Sequence, residues 1–439
     1  MKVMKFGGTS VGSPSRMKDV VELVKSRGRN IVVLSAMSGT TNTLVTVTDY
    51  LRGGNRIGAA ETLTSLKNKY SGVIEELFTI SAQMGKGKAI VDAIFNELYS
   101  YTPENLSEVG EKEILSKGEL LSTNLVTLYM EEQGIKVVLL PALSFMKKNS
   151  AGEPDADYIR KNLNSALEAN PDAEIFITQG FICRDVDGNV DNLQRGGSDY
   201  TASLIGAAID AEEIEIWTDI DGMHNNDPRF VENTSPVSEL HFDEAAELAY
   251  FGAKILHPTC VLPAKYANIP VRLLNTMEPT APGTLIFNAL PNRAIKAVAA
   301  KDGITAIKIK SSRMLLAYGF LRKIFEIFEV YHTSIDMIVT SEVGVSVTID
   351  NEHKLNDILE ELRKLGTVTV DRDMVIICVV GDLEWQNRGF EAEVVNALKD
   401  VPVRMISYGG SNYNISLLIK ASDKVRALKL LSNHLFANK

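Results

Sequence analysis

Short apolar runs recur through the first two-thirds of this chain, at residues 31–34, 137–140, 175–178, 214–217 and 271–274. Each is long enough for a buried strand and too short for a helix. Amphipathic helical patterns separate them, notably at 114–130, 198–209 and 243–251. Buried strands alternating with helices dictate an α/β fold, a mostly parallel sheet sandwiched by helices. Residues 2–6 read as another such strand, ended by Gly7-Gly8. Ser13-Pro14 then opens a helix, with Ser13 as N-cap and Met17, Val20, Val21 and Val24 on its buried face. In folds of this kind ligands collect at the carboxyl ends of the strands.

Near residue 292 the rhythm changes. A strand at 304–309, a helix at 320–331, strands at 335–339 and 345–349, a helix at 355–365 and a strand at 368–370 make a βαββαβ unit. A second copy follows, with strand 375–380, helix 390–398, strands 403–407 and 415–419, and helix 425–435. Asp336-Met337-Ile338 and Arg404-Met405-Ile406 fall at matching places, the mark of an internal repeat. The second copy lacks its last strand, and residues 295–299 are expected to supply it. The first copy, 303–372, would then be an insertion within a second unit made of 294–302 and 375–439, behind a domain at 1–292.

At 439 residues the chain exceeds one hydrophobic core. A net charge of −10 disfavours nucleic acid and anionic membrane as partners. The N-terminus carries no signal-peptide pattern, no apolar run reaches the length of a membrane span, and the three cysteines are scattered, so a reduced, cytoplasmic setting is expected. Charge for binding an anionic substrate must therefore be concentrated locally. Lys5-Phe6-Gly7-Gly8-Thr9-Ser10 does this: paired glycines let backbone N–H groups approach an anion, and Lys5 adds a fixed positive charge. The spacing is not that of a Walker A loop. Arg195-Gly196-Gly197-Ser198-Asp199-Tyr200-Thr201 opens a helix, with Ser198 expected as N-cap and Arg195 suited to a bidentate grip on a carboxylate. Asp199 either caps that helix or points into a site. Gly118-Glu119-Leu120-Leu121-Ser122 places a glycine inside a helix, which marks close packing or a ligand; Glu119 either holds an ammonium group or faces solvent. The acidic loop 219–229 fails the calcium-loop pattern at Met223 and His224, and no metal-ligand spacing is found elsewhere.

Taken together, these segments resemble the aspartokinases of the amino-acid kinase superfamily. The matching text is Lys5 to Val11, Ser35-Ala36 with Gly39-Thr40-Thr41-Asn42, Gly118 to Ser122, Gln179-Gly180-Phe181, Arg195 to Thr201, Thr218-Asp219 with Asp227-Pro228-Arg229, and Phe251 to Pro258. The resemblance implies the amino-acid kinase fold and transfer of the γ-phosphoryl of ATP, with Mg²⁺, to L-aspartate. The product would be 4-phospho-L-aspartate, the first step toward lysine, threonine and methionine. It implies Lys5, Gly7 and Gly8 around the phosphates, and Thr218, Asp219, Arg229 and Lys254 at the nucleotide. Ser35, Thr41, Glu119 and Arg195 would hold aspartate, with Lys5 and Asp199 as the catalytic residues and Asp199 helping to orient the site through a magnesium shell.

The repeat resembles the ACT domains of these kinases. Met314, Gly319, Phe320, Leu321, Ser334, Ile335, Asp336, Ser341 and Glu342 match the pattern of lysine-inhibited relatives, with Ala317 where some carry Ser. Feedback inhibition by L-lysine and a homodimer built through the ACT units are implied, with tetramers left open. A kinase for another carboxylate or carbamate, and a catalytically silent amino-acid sensor, are the competing readings.

Overall fold

The computed structural model describes residues 1–193, 196–252, 257–289, 294–314 and 318–436. They fall into two compact units: Met1–Met223 with Leu256–Ala289, and His224–Ile255 with Leu290–Lys439. No helix among the described residues is long and apolar enough to cross a membrane.

The first unit is built on a sheet whose strands lie in the spatial order Val137–Leu140, Ile175–Gln179, Asn30–Leu34, Lys2–Phe6, Ile214–Thr218, Val271–Asn275 and Thr284–Phe287. Every neighbouring pair is parallel until the last, which is antiparallel. The central strands are buried along nearly their whole length, as continuous apolar text requires when helices cover both faces. Lys2–Phe6 sits in the middle, with Phe6 opposite Leu34 on one side and Trp217 on the other. That register brings Lys5, Ser35, Gly180 and Thr218 to the same carboxyl edge of the sheet.

Helix Pro14–Lys25 begins as read, with the Ser13 hydroxyl accepting from the Arg16 amide. Helices Thr40–Arg52, Arg56–Leu77 and Ser81–Ser100 occupy a stretch that the sequence reading left unassigned. The hairpin at 182–192 closes through Asp185, whose side chain accepts from the Asn189 amide.

In the second unit a six-stranded antiparallel sheet runs Ile338–Ser341, Gly344–Ile349, Ile295–Lys310, Thr367–Gly381, Asn414–Lys420, Met405–Tyr408. The expected separate strands at 295–299 and 304–309 are one bent strand, and those at 368–370 and 375–380 are another. Register shifts near Lys301 and Ile304 absorb the bend. Ile295 and Ala299 pair with Gly381 and Cys378, so the leading half of the strand lies against the second copy's text. The strand expected at 335–339 begins only at Ile338. Asp336 is instead tied by its N–H to the Thr348 carbonyl at 2.9 Å.

Segment 224–252 folds with this unit. Phe230 and Val231 pack into the core formed by Val375, Val394, Leu417 and Leu431. Lys296 and Glu244 form a buried ion pair at 2.7 Å, and the Asn226 amide donates to the Leu428 carbonyl at 3.0 Å. A separate core gathers Ile307, Phe320, Ile324, Phe328, Val347 and Ile358 under the first repeat.

Candidate active site

The two loops that leave the central strands are pressed together by glycine. Gly8 accepts from the Ser38 amide at 3.1 Å, and a Cβ at position 8 would lie 2.8 Å from the Ala36 carbonyl oxygen. Only a residue without a side chain permits that approach. The Gly7 amide is drawn to the Trp217 carbonyl at 3.3 Å, which turns the chain at the sheet edge.

Lys5 reaches across this edge to Asp199, with Nζ 2.7 Å from Oδ1 and both side chains mostly buried. Asp199 therefore points into the site and does not cap its helix. The expected N-cap, Ser198, does not cap it either: Gly196 does, in a left-handed conformation with φ of 72°. A side chain there would collide with Cys260 Sγ at 2.1 Å, so glycine is dictated by both backbone and packing. The helix thus starts at Gly197 and leaves the Ser198 hydroxyl free to accept from the Ser35 hydroxyl at 2.9 Å. Gly180 makes room for Ser198, since a Cβ at 180 would stand 2.4 Å from its Oγ.

Glu119 sits on helix Glu108–Glu132 with its side chain buried. Its Oε1 accepts from the Ala36 amide at 3.2 Å, while Oε2 has no hydrogen-bond partner. Burial, only partly offset by the Ala36 N–H, pushes its carboxyl up to about 7. A buried carboxylate with one oxygen free to accept is suited to a cationic donor, and the solvent-facing alternative for Glu119 is excluded. Ser122, one turn on, donates to the Ser35 carbonyl at 2.8 Å and fixes that loop. Gly118 lets helix and loop meet, because a Cβ there would lie 2.8 Å from that of Ala36.

An open cavity of about 300 Å³ lies among these loops, lined by Gly8, Ser35, Thr41, Glu119, Phe181 and Ser198 among others. Phe181 holds a positive φ of 69°, uncommon for a bulky residue, and its amide donates to Thr201 Oγ1 at 3.0 Å. Ser198 and Phe181 are site residues that sequence reasoning did not assign. The signal for Phe181 was the Gln179-Gly180-Phe181 motif, whereas Ser198 was hidden by its capping interpretation.

The expected nucleotide residues are divided. Thr218 ends its strand and donates to Asp219 Oδ1 at 3.1 Å, with Asp219 exposed. Arg229 belongs to the second unit, where it is mostly exposed and grips Asp227 in a fork at 2.6 and 2.9 Å. Arg195 and Lys254 lie outside the described residues, as does Ala317. Of the effector set, Met314, Phe320 and Ile335 pack on the first repeat's core, and Gly319, with φ of 78°, caps helix Phe320–Val330. Leu321, Ser334, Ser341 and Glu342 are exposed, and Asp336 is held by Tyr250 and Lys301. Among the described residues no cluster of three or more metal-type ligands occurs.

A parallel sheet carrying a lysine–aspartate pair and a glycine turn at its carboxyl edge is suited to hold an anionic group without a Walker loop, as in the class of amino-acid kinases. In agreement, residues 1–275 match the amino acid kinase family and residues 377–435 an ACT domain family. The chain is 33% identical to the lysine-sensitive aspartokinase 3 of Escherichia coli K12, covering 99% of each. It is likewise 33% identical to the chloroplastic aspartokinase 3 of Arabidopsis thaliana, over 99% of this chain and 81% of that one. The crystal structure of E. coli aspartokinase III with aspartate and ADP, in the R-state, superposes with a TM-score of 0.82 at 32% identity, covering 99% of this chain and 100% of that one. The same enzyme with lysine and aspartate, in the T-state, gives 0.83 at 33%, covering 99% of each. The chain belongs to the amino acid kinase family, in its aspartokinase branch.

Proposed function

We propose that the chain transfers the γ-phosphoryl group of ATP to the β-carboxylate of L-aspartate, yielding ADP and 4-phospho-L-aspartate. One observation carries this reading: a single cavity runs from the Gly8 turn to the orphaned carboxylate of Glu119. A small amino acid lying in it has its ammonium at Glu119 and its far end toward Lys5. Ser35 and Thr41 line the cavity between. Arg195, by its chemistry and its place just before the helix, is assigned to the α-carboxylate. Lys5, Gly7, Gly8, Thr218 and Asp219 are assigned to the nucleotide. A relative crystallised with aspartate and ADP supports the pairing of ligands.

Magnesium–ATP fits this donor set, since Asp199 offers a hard carboxylate oxygen beside a lysine and a glycine turn. When bound, it supplies the phosphoryl group and screens its charge. The protein's own contribution is positional and electrostatic. The β-carboxylate of aspartate, with an ordinary pKa of about 3.9, is already ionised and needs no general base. One of its oxygens attacks the γ-phosphorus as the bond to the departing ADP oxygen breaks. Asp199 holds the Lys5 ammonium at the sheet edge, where it neutralises the equatorial oxygens. Glu119 and the Ser35–Ser198 pair align the acceptor.

The region 303–372, and 294–302 with 375–439, are read as two ACT units, the first inserted in the second. The antiparallel match of Ile295 with Gly381 supports this. L-Lysine is the proposed inhibitor, because the E. coli relatives are described as lysine-sensitive and as lysine-bound. A cytoplasmic homodimer paired through the ACT units completes the proposal. An ADP-release assay tests it: turnover with aspartate should far exceed that with glutamate, and L-lysine should lower it at subsaturating aspartate. Equal rates with both acceptors would overturn the substrate, and indifference to lysine would overturn the effector.

A further inference from the structure

A charge cluster in the second unit lies outside the proposed reaction. Asp336 is almost wholly buried, its side chain 1% exposed. Its backbone N–H is held by the Thr348 carbonyl, and the next amide, that of Met337, donates to Thr348 Oγ1 at 2.9 Å, which fixes the main chain from which the carboxylate projects. Lys301 Nζ lies 2.6 Å from Asp336 Oδ1 and 2.9 Å from Asp350 Oδ2. The same ammonium stands 4.3 Å from the centroid of the Tyr250 ring, and the Tyr250 hydroxyl donates to Asp336 Oδ1 at 2.7 Å. All of this converges on one oxygen. Asp336 Oδ2 is buried and has no hydrogen-bond partner, and two carboxylates face one ammonium. The cluster is one positive charge short.

The second repeat holds the same positions with polarity reversed. Arg404 stands where Asp336 does, Asp371 lies near the bend of its long strand as Lys301 lies at the bend of the other, and Lys420 follows Ile419 as Asp350 follows Ile349. Arg404 pairs with Asp371 at 2.8 Å, but both side chains are substantially exposed, at 33% and 44%. Only the first repeat therefore presents a buried acceptor hungry for a cation.

We propose that Lys301 is an internal competitor for the ammonium group of the effector amino acid at Asp336, and so sets how much effector is needed for inhibition. The inference rests on the reading of L-lysine as effector. Two ammonium groups on one carboxylate repel each other, so the incoming amine either displaces Lys301 or binds against its charge. Asp350 acts in the opposite sense, by drawing Lys301 away from Asp336.

Calorimetric titration of the full chain with L-lysine tests this on two variants. Lys301→Gln keeps a hydrogen-bond donor beside Asp336 without the charge, and should tighten binding about tenfold. Asp350→Asn, at an exposed position, should weaken binding by concentrating Lys301 on Asp336. An unchanged or weakened Lys301→Gln overturns the proposal, as does an unshifted Asp350→Asn. Binding to Lys301→Gln with none to the wild type supports it in its strongest form. No binding to either overturns it together with the lysine reading, whereas normal wild-type binding with unshifted variants overturns it alone.

Discussion

Glu119 carries the most information of any single side chain in the cavity. Its folded-state carboxyl, raised to about 7 by burial, is ionised only near and above neutrality. An ammonium ligand needs the ionised form, so KM for aspartate should rise as pH falls below 7. Glu119→Gln should raise KM and flatten that profile; a profile unchanged in the variant would remove Glu119 from substrate binding. The stability effect has the opposite sense. Because the folded pKa lies above the unfolded one, Glu119's stabilising contribution is complete below about 4.3 and fades as pH rises through 7. The charged form then costs roughly 3 kcal/mol in the unliganded protein. Glu119→Gln should therefore melt higher than wild type at pH 8 and lose that advantage at pH 5. Lys5→Ala should lower kcat by about two to three orders of magnitude with the circular dichroism spectrum retained; near-normal turnover would exclude Lys5 from the chemistry. Both residues were legible in the sequence because their charge sat beside glycines that only close approach explains. The burial of Glu119 was not, since helix Glu108–Glu132 is covered on more than one face and its periodicity is blurred. Ser198 was misread because serine at a helix start has an ordinary explanation, and only the left-handed Gly196 displaces it.

At the scale of elements, Gly118 offers a test of sign. An alanine in a helix interior normally gains about 1 kcal/mol over glycine. Here the added methyl would stand 2.8 Å from the Ala36 Cβ, on the loop whose amide holds Glu119. Gly118→Ala should instead lose about 1–3 kcal/mol of stability and raise KM for aspartate, as read by chemical denaturation and steady-state kinetics. A stabilised variant with unchanged KM would show that helix and loop are not in register as described. The parallel sheet was plain in the text because strands buried on both faces read as continuous apolar runs. The two long strands Ile295–Lys310 and Thr367–Gly381 were not, because polar residues at Lys301, Asp302, Asp371 and Asp373 interrupt the pattern at the bends. The strand start at 335 failed for another reason: Asp336 is diverted to a charge cluster, and pairing begins only beyond it.

For the whole molecule, the text divides where the rhythm changes, yet contacts divide it differently. Segment 224–252 lies within the stretch that matches the amino acid kinase family, while its buried Glu244 and its Val231 pack with the second unit. Nothing local announces this; it follows from partners some fifty to two hundred residues away. Tyr250, at the end of helix Phe242–Tyr250, thereby joins Asp336 in the first repeat. The central claim is that one cavity delivers the side-chain carboxylate of aspartate to a phosphoryl donor held at Lys5. Trapping of the acyl phosphate with hydroxylamine tests it most directly, with wild type and Lys5→Ala given magnesium–ATP and either aspartate or glutamate. The account predicts hydroxamate from aspartate with the wild type alone. ADP release without hydroxamate, or equal hydroxamate from glutamate, would contradict it.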